Sequence, residues 1–217
     1  MEITEITQDK GKLYRVLLRD GSVLWLHADL LMSEGLHVGD SLTEARISEL
    51  KTRAAEHRAY EYGLYLLEKR SYSYRELCDK LMSAKHAEEE AVFAALAKLT
   101  KYGFLNDARY AEQLARQYVE GKKYGLRRAA YEMKHHGLSQ EDIDEALAEY
   151  DDPARISAQL LDILNQKYAR YLADPTDRKA VERVTAALVR RGYTYQQIRF
   201  AYEDYYAQTE ESGETDC

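Results

Sequence analysis

The chain has 217 residues, of which 45% are hydrophobic and 32% charged, and its formal net charge is −7. This composition excludes an intrinsically disordered chain and allows one or two domains or a short repeat array. No stretch approaches the roughly 18 apolar residues of a membrane span, and the first residues do not resemble a secretory signal. The two cysteines, Cys78 and Cys217, form no disulfide or zinc pattern, so we expect a reducing cytoplasm.

Residues 1–42 are predicted to form a small β-rich region. Two apolar runs, residues 12–19 and 22–28, are separated by the Asp-Gly pair at residues 20–21. An Asp-Gly pair in this position indicates a hairpin closed by a type I′ turn, in which both turn residues have positive φ. Residues 2–8 alternate in polarity and are a candidate third strand.

From residue 43 onward the apolar residues recur with a helical period. Three stretches share one plan: a helix, a second helix with an apolar pair at i and i+4, a break, and a third amphipathic helix. A period of about 50 residues with this plan predicts an all-α repeat array. The apolar pairs are Leu77/Leu81, Ala129/Met133 and Val184/Leu188, and the breaks fall at residues 85–86, 137–138 and 192–193.

The predicted fold class is therefore mainly α, with three tandem three-helix repeats and a small N-terminal β-hairpin region. Because each repeat would contact chiefly its neighbours, we expect the array to be elongated. The predicted parts are residues 1–42 (β-rich region), 43–105 (linker helix and first repeat), 106–152 (second repeat), 153–206 (third repeat) and 207–217 (acidic flexible tail).

Residues typical of helix ends support these boundaries. Asp29 is the expected N-cap of a short helix within the β-rich region, and Gly103 is the expected end of the last helix of the first repeat. Asp152 and Asp174 each precede a proline, a combination that favours the start of a helix.

The sequence contains none of the common catalytic or nucleotide-binding motifs. There is no P-loop, no Gly-x-Ser-x-Gly and no His-Glu-x-x-His. His135 and His136 are adjacent and would point in different directions on a helix, which favours a surface or capping role over a shared metal. Cys78 lies on a predicted helix with no activating neighbour, so we expect an inert thiol. These observations predict a protein that is not an enzyme and holds no metal or cofactor.

Charge alternates in blocks along the repeats. Residues 108–136 contain seven basic and three acidic residues, whereas residues 138–153 contain seven acidic residues and no Lys or Arg. Residues 178–199 contain six basic residues and one acidic residue, and residues 203–217 contain six acidic residues. Such a striped surface suits a large, electrostatically patterned partner. Ordinary helix solvation, with acids near helix starts and bases near helix ends, is the alternative explanation.

The densest basic cluster is the segment of residues 122–128, which we call the basic turn. It contains four cations and Tyr124, and it is predicted to lie at a helix N-terminus, where the helix dipole disfavours cations. A cluster in such a place favours a binding role. The predicted partner-binding residues are Arg109, Arg116, Lys122, Lys123, Tyr124, Arg127, Arg128, Lys134, Arg190 and Arg191.

Three segments resemble the RecX family of recombinase regulators. Residues 73–81 (SYRELCDKL) are similar to the first-repeat pattern of that family, and residues 103–111 (GFLNDARYA) are similar to its linker motif. Residues 123–128 (KYGLRR) are similar to its basic turn. The similarity extends over about residues 55–205, and the N-terminal β region resembles an extension found in some members only.

The resemblance implies a non-enzymatic, cytoplasmic protein of DNA repair, homologous recombination and the SOS response. Members of the family bind the RecA recombinase, chiefly its filament on single-stranded DNA, and restrain filament growth, ATP hydrolysis and strand exchange. The resemblance also implies an elongated, curved body, and we expect a monomer that makes at most a weak direct contact with DNA.

Two alternatives remain open on the residues alone. The first is a DNA-binding module of tandem three-helix units, which would use the basic turn, with Tyr124 available for base stacking, and the basic block of residues 178–199. The acidic net charge argues against a simple polyanion binder. The second alternative is an adaptor for a different protein partner.

Overall fold

The computed structural model describes residues 1–85, 87–174 and 176–214. The chain divides into two compact units between Asn106 and Asp107. None of the helices in the described part of the chain is long and apolar enough to cross a membrane.

The N-terminal unit begins with a three-stranded antiparallel sheet. Its strands are β1 (Ile3–Gln8), β2 (Leu13–Leu18) and β3 (Val23–His27), in the order β1-β2-β3. The predicted hairpin is formed by β2 and β3. The candidate third strand is confirmed, because residues 3–8 form β1.

The turn of this hairpin differs from the predicted type I′ turn. The N–H of Gly21 donates to the Leu18 carbonyl and the N–H of Leu18 donates to the Ser22 carbonyl, both at 2.9 Å. Gly21 has a φ of +84°, whereas Asp20 keeps a negative φ. This is a three-residue loop in which a type I turn is followed by a left-handed glycine. Asp20 keeps its ordinary conformation because its carboxylate accepts hydrogen bonds from the N–H and hydroxyl of Ser22, at 3.0 and 2.7 Å.

A short helix, α1 (Ala28–Ser33), follows the sheet. The predicted N-cap, Asp29, is instead the second residue of this helix, and the N-cap is His27, whose Nδ1 accepts from the Asp29 N–H at 3.4 Å. Just after α1, the Glu34 side chain is only 5% exposed and forms ion pairs with Arg46 and Arg53. These pairs connect α1 to the helix that follows.

That helix, α2 (Glu44–Lys69), takes part in two hydrophobic cores. Its first half packs on the sheet, and its second half packs against α3 (Tyr74–Met82) and α4 (Glu89–Lys101). The predicted linker helix and the first helix of the first repeat are therefore one continuous helix. The side chains of α2 that are buried include Ile47, Leu50, Ala54 and Ala55.

The junctions of the first repeat follow local capping rules. Ser73 is fully buried and forms a capping box with Glu76 at the start of α3. The thiol of Cys78 in this helix is half-buried, and burial raises its pKa, so it stays protonated at neutral pH as expected of an inert thiol. Of the predicted break at residues 85–86, His86 lies outside the described residues.

The second unit begins with α5 (Asp107–Arg116), which continues as a π-helical turn (Gln117–Gly121). The helices α6 (Leu126–His135) and α7 (Gln140–Ala148) follow. Their inward faces share one core, because apolar residues three and four apart lie on the same side of each helix. The buried residues of this core include Ala111, Leu114, Ala129, Met133, Ile143 and Tyr150.

The remaining three helices build a second core in this unit. The helix α8 (Pro153–Ile163) continues as a π-helical turn (Leu164–Tyr168) and a 3-10 turn (Ala169–Tyr171). It is followed by α9 (Arg178–Arg190) and α10 (Tyr195–Glu214). The buried residues include Leu160, Ile163, Val184, Leu188, Ile198 and Ala201.

Of the two helix caps predicted before prolines, one is confirmed and the other is formed by a different residue. Asp152 caps α8 as predicted, and its carboxylate accepts from the N–H groups of Ala154 and Arg155. The cap of α9 is Asp177 instead of Asp174, because Asp174 is engaged in a local turn with Thr176. Pro175 lies outside the described residues.

The predicted fold class is confirmed: the chain is mainly helical, with a small N-terminal sheet. The segment of residues 207–217, predicted to be a flexible tail, differs in its first part, because α10 extends to Glu214. Adding residues to an existing helix is easier than starting one, and Ala, Gln and Glu favour helix, so the absence of an apolar period did not end α10. Residues 215–217 lie outside the described part.

Candidate partner-binding surface around the basic turn

The basic turn begins where α5 ends. The N–H of Lys122 donates to the Gln117 carbonyl, and the N–H of Tyr124 donates to the Tyr118 carbonyl, both at 3.0 Å. Between them, Lys123 has a φ of +55° and is the one described non-glycine residue with a positive φ. A lysine in this conformation costs about 1–3 kcal/mol, so surrounding contacts must hold it there.

Those contacts come from the turn between α9 and α10. The N–H of Gly125 donates to the Arg191 carbonyl at 2.8 Å. The carbonyl of Lys123 accepts hydrogen bonds from the Tyr193 hydroxyl at 3.1 Å and from Arg191 Nη1 at 3.4 Å. Arg191 Nη1 also donates to the Lys122 carbonyl at 3.0 Å. The backbone of the basic turn is thus held by the third repeat.

Two glycines allow the two turns to approach this closely. Gly192 has a φ of +97°, and a Cβ atom placed on it would lie 2.4 Å from the backbone nitrogen of Arg128. A Cβ atom on Gly125 would lie 2.6 Å from the carbonyl of Gly192. Because the obstacles are backbone atoms, which cannot move aside like a side chain, both positions require glycine.

The four cations of the basic turn do not all lie at a helix N-terminus, although the sequence predicted this. Lys122 and Lys123 lie past the C-terminal end of the α5 segment, where the dipole favours cations. Arg127 and Arg128 lie in the first turn of α6, which contains no acidic residue. The dipole argument for a binding role therefore applies to these two arginines and is wrong for the two lysines.

The two arginines have different surroundings. Arg128 forms an ion pair with Glu132 and lies over the Tyr131 ring at 5.3 Å from its centroid. Arg127 is exposed and forms no ion pair with any described residue. Arg127 can therefore meet a partner without breaking an internal contact.

Three other predicted residues of the basic turn already have internal partners. The Lys122 ammonium group lies 4.6 Å from the centroid of the Tyr118 ring, and Lys123 Nζ lies 4.0 Å from Asp162 Oδ2. Tyr124 is half-buried, and its ring is stacked on Tyr118 with the centroids 6.1 Å apart. The ring of Tyr124 therefore packs at the edge of the core, which weakens its expected role in base stacking.

The other predicted residues are mostly exposed cations. Arg109 and Arg116 are seven residues apart on α5, and Arg127 and Lys134 are seven residues apart on α6, so each pair lies on one face of its helix. Arg190 is the last residue of α9 and is exposed. Arg116, Arg127, Lys134 and Arg190 form no ion pair with described residues, and we call these four the free cations.

Arg191 differs from its neighbour Arg190. Its guanidinium group donates to two carbonyls of the basic turn, and its own carbonyl accepts from Gly125. The structure therefore gives Arg191 a positioning role within the protein. Arg190 keeps the exposed position expected of a partner-binding residue.

Tyr131 is an exposed aromatic side chain that sequence reasoning missed. It is 54% exposed, lies next to Arg128 and packs edge-on against the His135 ring at 4.5 Å between centroids. The spacing of Arg128, Tyr131 and His135 at i, i+3 and i+7 was the available signal, because such residues share one helix face.

His136 occupies the capping position that the sequence suggested, and its side chain is half-buried. It is the C-cap of α6, and its ring lies between two tyrosines. The hydroxyl of Tyr118 is 2.9 Å from His136 Nε2, and the hydroxyl of Tyr110 is 3.4 Å from His136 Nδ1. His136 therefore connects α6 to α5 beneath the surface that carries the cations.

The segment that carries most of these residues matches a known domain. Residues 106–147, which include α5, the basic turn, α6 and most of α7, match the family model described as RecX, second three-helix domain. The match covers eight of the ten predicted partner-binding residues. Five of them lie on α5 and α6, namely Arg109, Arg116, Arg127, Arg128 and Lys134, and the other three lie between these helices, namely Lys122, Lys123 and Tyr124.

Relatives named regulatory protein RecX extend the match to almost the whole chain. A regulatory protein RecX of Stenotrophomonas maltophilia is 34% identical over 151 residues, which is 70% of this chain and 89% of that protein. A regulatory protein RecX of Enterococcus faecalis is 24% identical over 214 residues, which is 98% of this chain and 79% of that protein.

A solved structure shares the fold. The crystal structure of a regulatory protein RecX superimposes with a TM-score of 0.74 at 22% sequence identity, covering 93% of this chain and 98% of that chain. The sequence identity with the Stenotrophomonas relative, over most of that protein's length, is high enough to establish common descent. The chain therefore belongs to the RecX family of regulatory proteins.

Proposed function

We propose that this protein regulates the RecA recombinase by binding the RecA filament on single-stranded DNA. It restrains growth of the filament, ATP hydrolysis and strand exchange, and it acts by binding, without chemistry of its own. The observation that carries this proposal is the group of free cations on α5, on α6 and at the end of α9, most of them within the segment that matches the RecX domain.

The free cations suit a large anionic or mixed surface. The chain has a net charge of −7, so nonspecific attraction to polyanions is opposed over most of its surface. Exposed cations that form no ion pair with described residues still give a favourable local potential and orient the protein during its encounter with a partner. A nucleoprotein filament is a partner of this kind, because it exposes both protein surface and phosphates.

The firm support of the basic turn suits binding to an ordered partner. The Gly125–Arg191 hydrogen bond and the bonds of Arg191 and Tyr193 to the Lys123 carbonyl fix the backbone that presents Arg127. A surface that is already ordered loses little conformational entropy on binding. The subunits of a regular filament repeat in fixed positions. A surface that is already ordered therefore suits binding to such a filament.

Direct binding to DNA is the second candidate, and one observation favours it. Tyr131 is exposed beside Arg128, an arrangement that allows a base to stack on the ring while a cation contacts the backbone. Tyr124, the aromatic residue first expected to stack, is occupied by Tyr118.

A salt series distinguishes the two candidates. Affinity for bare single-stranded DNA should fall with salt, with a log–log slope of about −0.7 per neutralised phosphate. Fluorescence anisotropy with labelled oligonucleotide measures this slope, and co-sedimentation measures binding to preformed RecA filaments. We expect binding to the filament to persist at salt concentrations where binding to bare DNA has vanished. Equal loss of both would reject RecA as the target and favour the DNA-binding module.

A further inference from the structure

Three side chains that can bind metals meet in the N-terminal unit. His27 ends β3, Asp29 lies in the first turn of α1, and His57 projects from the middle of α2. One ligand atom from each of the three lies within 4.8 Å of the other two. The rings of His27 and His57 are 4.4 Å apart between centroids, with 37° between their planes.

The Nε2 atom of His57 is buried and has no hydrogen-bond partner among the described residues. A buried polar atom without a partner is uncommon, because it loses its contact with water and gains nothing in return. His27 Nδ1 accepts from the Asp29 N–H at 3.4 Å, and Asp29 Oδ2 lies 3.3 Å from the same nitrogen. These contacts do not involve Nε2 of His57, and one ring nitrogen of His57 completes the group of three ligand atoms.

The spacing of His27 Nδ1 and Asp29 Oδ2 fits two ligands of a tetrahedral zinc ion. Two ligands at about 2.0–2.2 Å from zinc, at the tetrahedral angle, lie about 3.3 Å apart. The separation of 3.3 Å between His27 Nδ1 and Asp29 Oδ2 has this value. On binding, the long 3.4 Å hydrogen bond from the Asp29 N–H to His27 Nδ1 gives way to the metal bond. The His57 nitrogen lies within 4.8 Å of the other two ligand atoms, so it needs a movement of at most about 1.5 Å to reach the tetrahedral spacing.

The site also has an entry path. Asp29 and His57 line a cleft of about 490 Å³, together with Glu56 and Glu61, so an ion can enter from solvent. The lining also includes the cations Arg53 and Lys98. Histidine binds metals in its neutral form.

We propose that His27, Asp29 and His57 form a binding site for a zinc ion, with water as the fourth ligand. Two imidazoles and one carboxylate are a ligand set that zinc accepts. Because the ligands come from β3, α1 and α2, the ion connects the sheet to the long helix. Zinc therefore stabilises the N-terminal unit, independently of any contact with RecA.

The test is a zinc titration of the full-length protein after treatment with a chelator, followed by isothermal calorimetry. All variants carry Cys217→Ser, so that the terminal thiol does not compete for zinc. We expect one Zn²⁺ per chain. Asp29→Asn and His57→Gln should each lose at least about tenfold in affinity, because changing even a residue that only supports a metal ligand typically costs about that much. The melting temperature of the parent should rise by about 5–10 °C at zinc 100-fold above the dissociation constant.

His37→Gln is the matched control. His37 Nδ1 lies 4.0 Å from Asp40 Oδ2, so it is also a histidine beside a carboxylate, but the described part of the chain offers it no third ligand. This variant should bind zinc like the parent. If His57→Gln does not fold, Asp29→Asn decides, because Asp29 is exposed. Unchanged zinc affinity in Asp29→Asn, or absence of the melting shift in the parent, would overturn the proposal and leave the proposed RecA function untouched.

Discussion

The backbone N–H of Gly125 donates a 2.8 Å hydrogen bond to the carbonyl of Arg191, which joins the basic turn to the turn between α9 and α10. The two residues lie 66 positions apart in sequence and in different repeats of the same unit. The main-chain course of the basic turn is therefore set by the third repeat as well as by its own helices. Changes in the third repeat should affect the surface that presents Arg127.

The glycine at position 192 is the most sensitive point of this junction. Gly192→Ala places a side chain at a φ of +97° and against the backbone of Arg128, so we expect a loss of about 2 kcal/mol or more in stability. This corresponds to a fall of about 4 °C or more in melting temperature. Gly121→Ala is the control, because a Cβ there meets nothing within 4 Å, and its melt should match the parent within about 1–2 °C. Equal melting of both variants would contradict the junction.

Arg190 and Arg191 should separate binding from stability. Arg191→Ala removes two hydrogen bonds to the carbonyls of the basic turn, and we expect a loss of about 1 kcal/mol in urea unfolding. Arg190→Ala changes an exposed side chain and should leave stability within about 0.5 kcal/mol while weakening binding to the RecA filament. A reversed result, with Arg190→Ala the less stable variant, would show that the two roles are assigned wrongly.

Tyr150 should make the free energy of unfolding depend on pH in the alkaline range. Burial, together with the neighbouring carboxylates of Glu149 and Glu120, raises the pKa of Tyr150 to about 12. The folded protein thus holds this proton more tightly than the unfolded chain, whose tyrosines have a pKa of about 10. The stability that this provides is complete below about pH 10 and is lost as the pH rises towards 12.

Urea unfolding at several pH values measures this effect. The free energy of unfolding of the parent should fall from pH 10 upward, and the fall should be less steep in Tyr150→Phe. The exposed Tyr131→Phe variant should keep the slope of the parent. Identical slopes for the parent and Tyr150→Phe would show that the Tyr150 hydroxyl does not contribute.

Local patterns predicted the elements well, because their causes are local. The cap formed by Asp152 before Pro153 involves neighbours in sequence, and so does the alternation that places β1 in the sheet. The Asp20-Gly21 turn was assigned to the wrong type because both turn types accept an Asp-Gly pair. The difference depends on the hydrogen bonds that Ser22 donates to Asp20.

The arrangement of the candidate site could not be predicted in the same way. The hydrogen bond from Arg191 to the Lys122 carbonyl joins residues 69 positions apart, and no periodicity of apolar residues specifies such a contact. The sequence located the cations but could not distinguish Arg128, which is paired with Glu132, from Arg127, which forms no ion pair with described residues. The meeting of His27 and His57 was missed for the same reason, because 30 residues separate them.

The most direct test of the proposed function is the effect of the protein on ATP hydrolysis by RecA on single-stranded DNA. Arg127→Glu is the informative variant. Arg127 forms no ion pair with the residues that the structure describes, and a carboxylate in the first turn of α6 is favoured by the helix dipole, so the fold should be kept. Lys51→Glu, an exposed change of equal charge on α2, is the control.

We expect the parent and Lys51→Glu to lower the rate of ATP hydrolysis, and Arg127→Glu to lose most of this inhibition with an unchanged melting temperature. Losing a partnered charge at an interface typically costs about 2–5 kcal/mol, which is a factor of about 30 or more in affinity. Failure of the parent to slow RecA at any concentration would contradict the proposed function. Full inhibition by Arg127→Glu would contradict the assignment of the interface to the basic turn.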